Sequence, residues 1–144
     1  MANSLYDKGR EGFLAGTISW SSDTIRVFLI DSASYTPNLA TDQYLSIVSE
    51  AARKGNNGSG SRTDAVILTS KTVLNGVADA ADIIISAVTA GPALEYILIF
   101  KDSGDDSTSP LIALIDTATG LPITPTGADI KIEWPDTSNK IFKL

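Results

Sequence analysis

The sequence predicts a mainly β fold, an antiparallel β-sandwich of about eight strands with short helices in the N-terminal third. Three apolar runs in the C-terminal half support this most strongly: Glu95–Lys101, Leu111–Asp116 and Ala128–Trp134. Each run is short, rich in Ile and Leu, and bounded by Gly, Pro, Asp or Ser, which is typical of a strand. Linkers of 9 and 11 residues (102–110 and 117–127) that contain Gly, Pro and Thr join consecutive runs, so we expect the three strands to form an antiparallel meander.

The composition favours one domain spanning residues 1–144. Hydrophobic residues make up 43% of the chain and charged residues 19%, which is enough apolar material for a core. The chain has neither Cys nor His. These absences exclude disulfides, thiolate or imidazole metal sites, and Ser-His-Asp or Cys-His catalysis within the chain. We also expect no cofactor.

The charge balance argues against a nucleic-acid partner. There are 11 basic and 17 acidic residues, a net charge of −6, whereas phosphate contacts require clustered Lys and Arg. The N-terminus shows no apolar signal-peptide core, and no run reaches the roughly 18 apolar residues of a membrane helix. We expect a soluble protein with no membrane partner.

Residues 1–16 are predicted to form a helical segment or arm, capped by Asn3 or Ser4 and ending near Ala15. Three glycines weaken this helix in isolation, so it needs a packing partner. Two alternatives remain open: it covers an edge or face of the chain's own sheet, or it contacts a neighbouring subunit. The candidate interface residues are Leu5, Tyr6, Phe13, Leu14 and Trp20.

The first half of the chain continues with a short strand at Thr17–Trp20 and a clear strand at Asp23–Asp31. The second strand is apolar on both faces, so we expect it to be central. A short helix is predicted at Thr41–Val48, with Thr41 or Asp42 as cap and with Tyr44, Leu45 and Val48 facing the core. Residues 54–63 are nearly all Gly, Ser and Asn, which predicts a flexible surface loop.

Further strands are predicted at Ala65–Thr69, Thr72–Leu74, Asp82–Val88 and Lys140–Leu144. Asn75-Gly76 is a strong hairpin signal. Two-sided apolar strands such as Ile83–Ile85 and Ile97–Phe100 need cover on both faces or at an edge. Assembly is one way to provide that cover, and it favours a homo-oligomer.

Sequence patterns for catalysis or metal binding are weak. Asp102, Asp105 and Asp106 offer carboxylates for Ca²⁺, but they lack the alternating spacing of an EF-hand loop and are better interpreted as solvated turn residues. A carboxylate hydrolase needs two acids converging in a cleft, and the sequence does not place Asp79, Asp82 or Glu95 in that way. We expect the protein not to be an enzyme.

Two parts of the chain carry a family resemblance. They are the N-terminal stretches Ser4–Trp20, Asp23–Asp31 and Tyr35–Thr41, and the C-terminal stretch Leu111–Pro125 followed by 130–134 and 139–144. Both are similar to a family of small, mostly uncharacterised virion structural proteins of tailed bacteriophages. The similarity covers most of the chain and departs at about 49–64. It implies location in a virion and transfers no catalytic residue.

Within a virion, we expect a capsid decoration (cement) protein that binds the outer shell and the major capsid protein as a homo-oligomer, most simply a trimer. The interface residues above then serve as a subunit or capsid interface. Two alternatives remain: a tail tube, neck or connector ring subunit, and a receptor- or glycan-binding module. The last requires Trp20, Tyr35 and Tyr44 to converge in one exposed cluster.

Overall fold

The computed structural model describes residues 4–118, 120–138 and 140–144, and within them the chain is mainly antiparallel β with one α-helix. The strands are β1 (Ser4–Leu5), β2 (Ile25–Ile30), β3 (Arg53–Lys54), β4 (Val66–Ile67), β5 (Thr72–Leu74), β6 (Val77–Asp79), β7 (Ile83–Ile85), β8 (Tyr96–Lys101), β9 (Leu111–Ile115), β10 (Ile130–Ile132) and β11 (Phe142–Lys143). The helix α1 spans Asp7–Ala15. Short 3₁₀ turns lie at Leu45–Ile47, Glu50–Ala52, Asn56–Gly58 and Arg62–Asp64.

The main sheet has the order β1-β9-β8-β2-β3, and β4 also pairs with β2. β2 and β8 pair along their whole length, from Ile25 opposite Lys101 to Ile30 opposite Tyr96. The predicted central position of the Asp23–Asp31 strand is therefore confirmed. Between β8 and β9 the register shifts, which leaves Ile112 as an extra residue at a β-bulge.

Each face of the main sheet packs against a separate apolar core. Side chains of β2 alternate between the two, because successive residues of a strand point to opposite faces. Val27 and Leu29 contribute to one core, whereas Phe28 and Ile30 contribute to the other. The first core also contains buried residues of the two smaller sheets, and the second contains residues from the 31–65 segment. The predicted cover of Ile97–Phe100 on both faces is supplied by the chain itself.

The smaller sheets consist of β5, β6 and β11, in the order β11-β6-β5, and of the pair β7–β10. The β5–β6 hairpin predicted from Asn75-Gly76 is confirmed, and both turn residues have positive φ, 53° and 77°. β11 pairs with β6. On β7, Ile84 is 55% exposed, so this strand lacks the cover on both faces that the sequence led us to expect.

The meander prediction is correct for β8 and β9 and wrong for the third strand. β10 pairs with β7, and its Ile130 and Ile132 lie opposite Ile85 and Ile83. The linker before β10 is long enough to carry the chain away from the main sheet. Apolar alternation identifies a strand but not its partner.

Three other predictions about local structure require correction. The N-terminal helix begins at Asp7 rather than beside Ser4, because β1 pairs with the edge of β9 first; Asn3 lies outside the described residues. Thr17–Trp20 is not a strand. Only the 3₁₀ turn Leu45–Ile47 forms in the predicted 41–48 helix, although Leu45 and Val48 are buried as expected and Tyr44 is not.

In the part of the chain that the structure describes, none of the helices has both the length and the apolar character that a membrane span requires.

Candidate interaction surface

Most of the five predicted interface residues pack inside the chain. Leu5, Tyr6 and Trp20 are buried, and the ring centroid of the partly buried Phe13 lies 6.1 Å from that of Phe142. Leu14 differs, since its side chain is 85% exposed. An apolar helix face looks the same in sequence whether it meets its own sheet or another subunit, so the pattern did not separate these five residues.

The N-terminal segment is built into the edge of the main sheet. The Tyr6 N–H donates to the Ile112 carbonyl over 3.0 Å, directly after β1 pairs with β9. α1 then approaches β9 so closely that a Cβ on Gly9 would lie 2.8 Å from the Leu111 oxygen. Of the two alternatives for this segment, the structure therefore shows it covering the sheet edge. A contact to another subunit remains a prediction.

A buried chain of hydroxyl groups fixes the loop after β2 to this edge. The Tyr6 hydroxyl lies 2.9 Å from that of Tyr35, which in turn donates to Asp42 Oδ2 over 2.7 Å. Asp42 also accepts from the Asn38 N–H. Burial raises the pKa of both phenols, and the nearby Asp42 carboxylate raises it further. The two tyrosines are therefore neutral, hydrogen-bonded structural groups.

The acidic loop at 102–106 forms ion pairs with arginines. Asp102 Oδ2 lies 2.6 Å from Arg26 Nε, and Asp102 Oδ1 lies 2.6 Å from Arg62 Nη1. Asp106 pairs with Arg53 at 2.7 Å and with Arg62 at 3.3 Å. The interpretation of Asp102 as a solvated turn residue is therefore wrong. The arginines lie far away in sequence, so local spacing gave no signal of them.

Electrostatics in this network favour the ionised carboxylate. Burial by itself would raise the pKa of Asp102, but hydrogen bonds from the Gly104 N–H, Arg26 and Arg62 outweigh it and hold the pKa below its usual range. Arg53 is only 2% exposed, and it also donates to the carbonyls of Val48 and Leu45. The network joins the 45–62 segment to the β8–β9 loop.

Among residues 4–118, 120–138 and 140–144, no group of three or more acidic side chains is placed to hold a metal ion. The three acids considered for hydrolysis each have a structural partner. Asp79 pairs with Lys140, Asp82 accepts from the Trp134 N–H, and Glu95 accepts from the Ser32 N–H.

The aromatic residues needed for a glycan platform do not converge. Trp20 is buried in the core on one face of the main sheet, and Tyr35 is buried in the core on the other face. Tyr44 is partly exposed and lines a groove of about 410 Å³ between α1 and the β8–β9 loop. In that groove Lys8 pairs with Glu11, and Lys101 pairs with Asp23.

An apolar groove lies at the β5–β6 hairpin. A groove of about 260 Å³ runs there between α1, the Trp20 turn and the small sheet, lined by Phe13, Trp20, Val73, Ala78, Phe142 and Leu144 among others. Val73 and Leu74 are 57% and 71% exposed, and all three residues of β5 are exposed. We call Thr72–Leu74 with this groove the β5 surface. Sequence reasoning identified the hairpin but not its exposure.

A scan against protein-family models and a search of curated proteins give no match to this chain.

Proposed function

We propose that this protein is a non-enzymatic structural protein of a tailed-bacteriophage virion, and more specifically a capsid decoration protein. The observation that carries the proposal is apolar surface that remains after the fold has covered its main sheet on both faces. Large apolar side chains stay exposed on α1, on the 3₁₀ turn Leu45–Ile47, on several strands and just after β11: Leu14, Ile47, Ile67, Val73, Leu74, Ile84 and Leu144. Scattered apolar residues are normal on a surface, but extended apolar patches are typical of protein–protein contacts.

The fold itself suits attachment to a completed shell. Residues 4–15 pack on the edge of the chain's own main sheet, so the proposal does not require this segment to fold on a partner. We further propose that the two small sheets form the second layer of a β-sandwich over one face of the main sheet. Buried residues of β6, β7, β10 and β11 share a single core with that face, which supports this arrangement.

The mechanism would be surface burial repeated over many copies. Each copy docks apolar side chains at a junction between major capsid subunits, and the many contacts together resist expansion of the shell. A trimer matches three-fold or quasi-three-fold positions on such a shell. Within this proposal Leu14 is the leading contact residue, because it extends from a helix whose own position is fixed by β9.

The test is rebinding of the purified protein to capsids stripped of it. We expect added density on the outer shell and restored retention of DNA on heating. Leu14→Lys should weaken rebinding, whereas Glu11→Lys, an exposed polar position on the same helix, should change it less. Capsids that mature and hold DNA when heated without the protein, and that show no added density when it is supplied, would contradict the proposal.

The second candidate is a tail tube, neck or connector ring subunit. Exposed β5 at the edge of the three-stranded sheet favours it, because an open sheet edge can pair with a strand of a neighbouring subunit. Cryo-electron microscopy of intact virions separates the two: a decoration protein lies across the shell, and a ring subunit lies at one vertex or along the tail.

A further inference from the structure

The free edge of β5 has an unusual composition for an exposed strand. Natural edge strands are commonly protected by charges, Pro or bulges. Thr72–Leu74 contains none of these, and no ionisable side chain occurs between Lys71 and Asp79. Among the described residues β5 has a neighbour, β6, on one side only. Its other side is therefore open to pairing.

The hairpin register determines which backbone groups face that open side. Asn75 and Gly76 form a two-residue turn with positive φ at both positions, so the flanking Leu74 and Val77 form a hydrogen-bonded pair. Hydrogen-bonded and non-hydrogen-bonded pairs alternate along an antiparallel ladder. Val73 and Ala78 are therefore a non-hydrogen-bonded pair. The N–H and C=O of Val73 consequently point away from β6.

We propose that β5 pairs with β5 of a second copy of this chain, antiparallel and centred on a two-fold axis at Val73. One outward donor and one outward acceptor on the same residue are self-complementary under such an axis, because each Val73 exchanges two hydrogen bonds with the other. The three-stranded sheets of the two copies then join into one six-stranded sheet, in the order β11-β6-β5-β5-β6-β11.

The side chains of β5 are compatible with pairing to β5 of a second copy. On one face Val73 meets its copy beside the apolar groove, where Trp20 and Phe142 are already buried. On the other face Leu74 lies opposite Thr72 of the second copy, and the pairing covers part of its 71% exposed surface. The two Lys71 side chains lie at opposite ends of the pairing, and the Lys71 ammonium is already hydrogen-bonded to the Asp23 carbonyl. No like charges are brought together.

The β5–β5 contact uses the free edge of both copies, so it stops at a dimer. It does not depend on a role in a virion. A trimer, if present, would use a different surface, and the two-fold contact would join neighbouring trimers. The two proposals can therefore fail separately. If β5 does not pair, the capsid-rebinding experiment can still succeed; if rebinding fails, the mass of the protein in solution is unaffected.

The experiment uses the absence of Cys from the chain. In Val73→Cys, the two opposed residues would have Cα atoms about 5.5 Å apart, within the range of about 4.4–6.8 Å that a disulfide spans. We expect mild oxidation to give a covalent dimer in high yield. Ile84→Cys, an exposed apolar position on another strand, is the matched control and should give little.

Sedimentation velocity of the wild-type chain supplies the second measurement. We expect its mass to rise with concentration, and Leu74→Lys to weaken this association about tenfold or more, because it removes the apolar contact. Ile84→Lys should leave it unchanged. A wild-type mass that stays at the 15.1 kDa of one chain at every concentration, or equal cross-linking at positions 73 and 84, would overturn the proposal. The β5 edge would then be open to a partner of another kind.

Discussion

At the scale of single residues, the buried hydrogen-bonded chain Tyr6–Tyr35–Asp42 makes the hydrogen bonding of one side chain depend on the next. Tyr35 donates to Asp42, so the Tyr6 hydroxyl must donate to Tyr35. Tyr6 is completely buried, and Tyr35 is its hydrogen-bond partner at the hydroxyl. A buried hydroxyl that loses its partner costs more than one removed together with its hydrogen bond.

We therefore expect the two Tyr→Phe variants to differ in stability. Tyr6→Phe removes one outer donor and leaves the Tyr35–Asp42 bond intact, at a cost of about 0.5–1.5 kcal/mol. Tyr35→Phe removes the central group and leaves both the Tyr6 hydroxyl and Asp42 short of a bond, at a cost of about 1–3 kcal/mol. Urea denaturation measures both free energies of unfolding. Equal losses would show that the hydroxyl chain does not act as described.

Arg53 has a comparable role beside the same core, against Phe28. Its guanidinium carbon lies 5.8 Å from the centre of the Phe28 ring, while its nitrogens donate to backbone carbonyls and to Asp106. Because the Arg53 guanidinium is nearly inaccessible to water, these hydrogen bonds replace those that it would make to water if it were exposed. The residue holds the end of the 45–62 segment without exposing its charge.

At the scale of elements, the Gly/Ser/Asn segment after β3 is not a simple surface loop. Gly55 donates to the Ser59 carbonyl over 2.7 Å and is buried, and Asn57 donates to the Ser86 carbonyl. A Cβ on Gly60 would lie 2.1 Å from the Glu50 oxygen. The glycines thus allow two backbone segments to approach more closely than any side chain permits. The flexibility predicted for this segment is a separate property and stays a prediction.

Gly60→Ala should lower the free energy of unfolding by about 1–3 kcal/mol, because the added methyl group forces the Glu50 backbone to move. Gly91→Ala is the matched control, since the atom nearest to its Cβ is the Thr89 oxygen at 4.0 Å. Thermal or urea unfolding of both variants measures the difference. Similar stability for the two would contradict the close approach at Gly60.

At the scale of the whole molecule, the main sheet separates two cores, and ion pairs join the segments around it. Asp102 connects β2, through Arg26, to the Arg62 turn. Its pKa is below the usual value in the folded protein, so the unfolded chain takes up the proton first as the pH falls. The stabilisation by Asp102 is therefore complete above the unfolded pKa of about 3.9 and is lost as the pH falls through the lower folded value.

We expect Asp102→Asn to be less stable than the wild type at pH 7 by about 1.5–3 kcal/mol, the usual contribution of hydrogen bonds to charged groups. The difference should shrink as the pH is lowered below about 4, because Asp102 of the unfolded wild-type chain is protonated there before Asp102 of the folded protein. Unfolding measured between neutral and acidic pH tests this. Asp136→Asn, at an exposed carboxyl, is the control. If the difference in free energy of unfolding between Asp102→Asn and the wild type stayed constant with pH, Asp102 would not be the source of this pH dependence.

The sequence by itself determined where several strands lie and how one hairpin turns. Two-sided apolar runs identified β2 and β8, and Asn75-Gly76 identified the β5–β6 hairpin, because strand periodicity and turn chemistry are properties of neighbouring residues. The mainly β class followed from the same local signals. Which residues the fold would leave exposed did not follow from them, so the β5 surface was not predicted.

Only the tertiary structure decided which elements meet. It paired β10 with β7, buried Leu5, Tyr6 and Trp20 within the chain, and placed Asp102 against Arg26, 76 residues away in sequence. An apolar side chain has the same pattern whether its own core or a partner covers it, and a carboxylate has the same pattern whether water or a distant arginine solvates it. The three-dimensional path of the chain chooses between these outcomes, because it alone brings distant residues within contact distance.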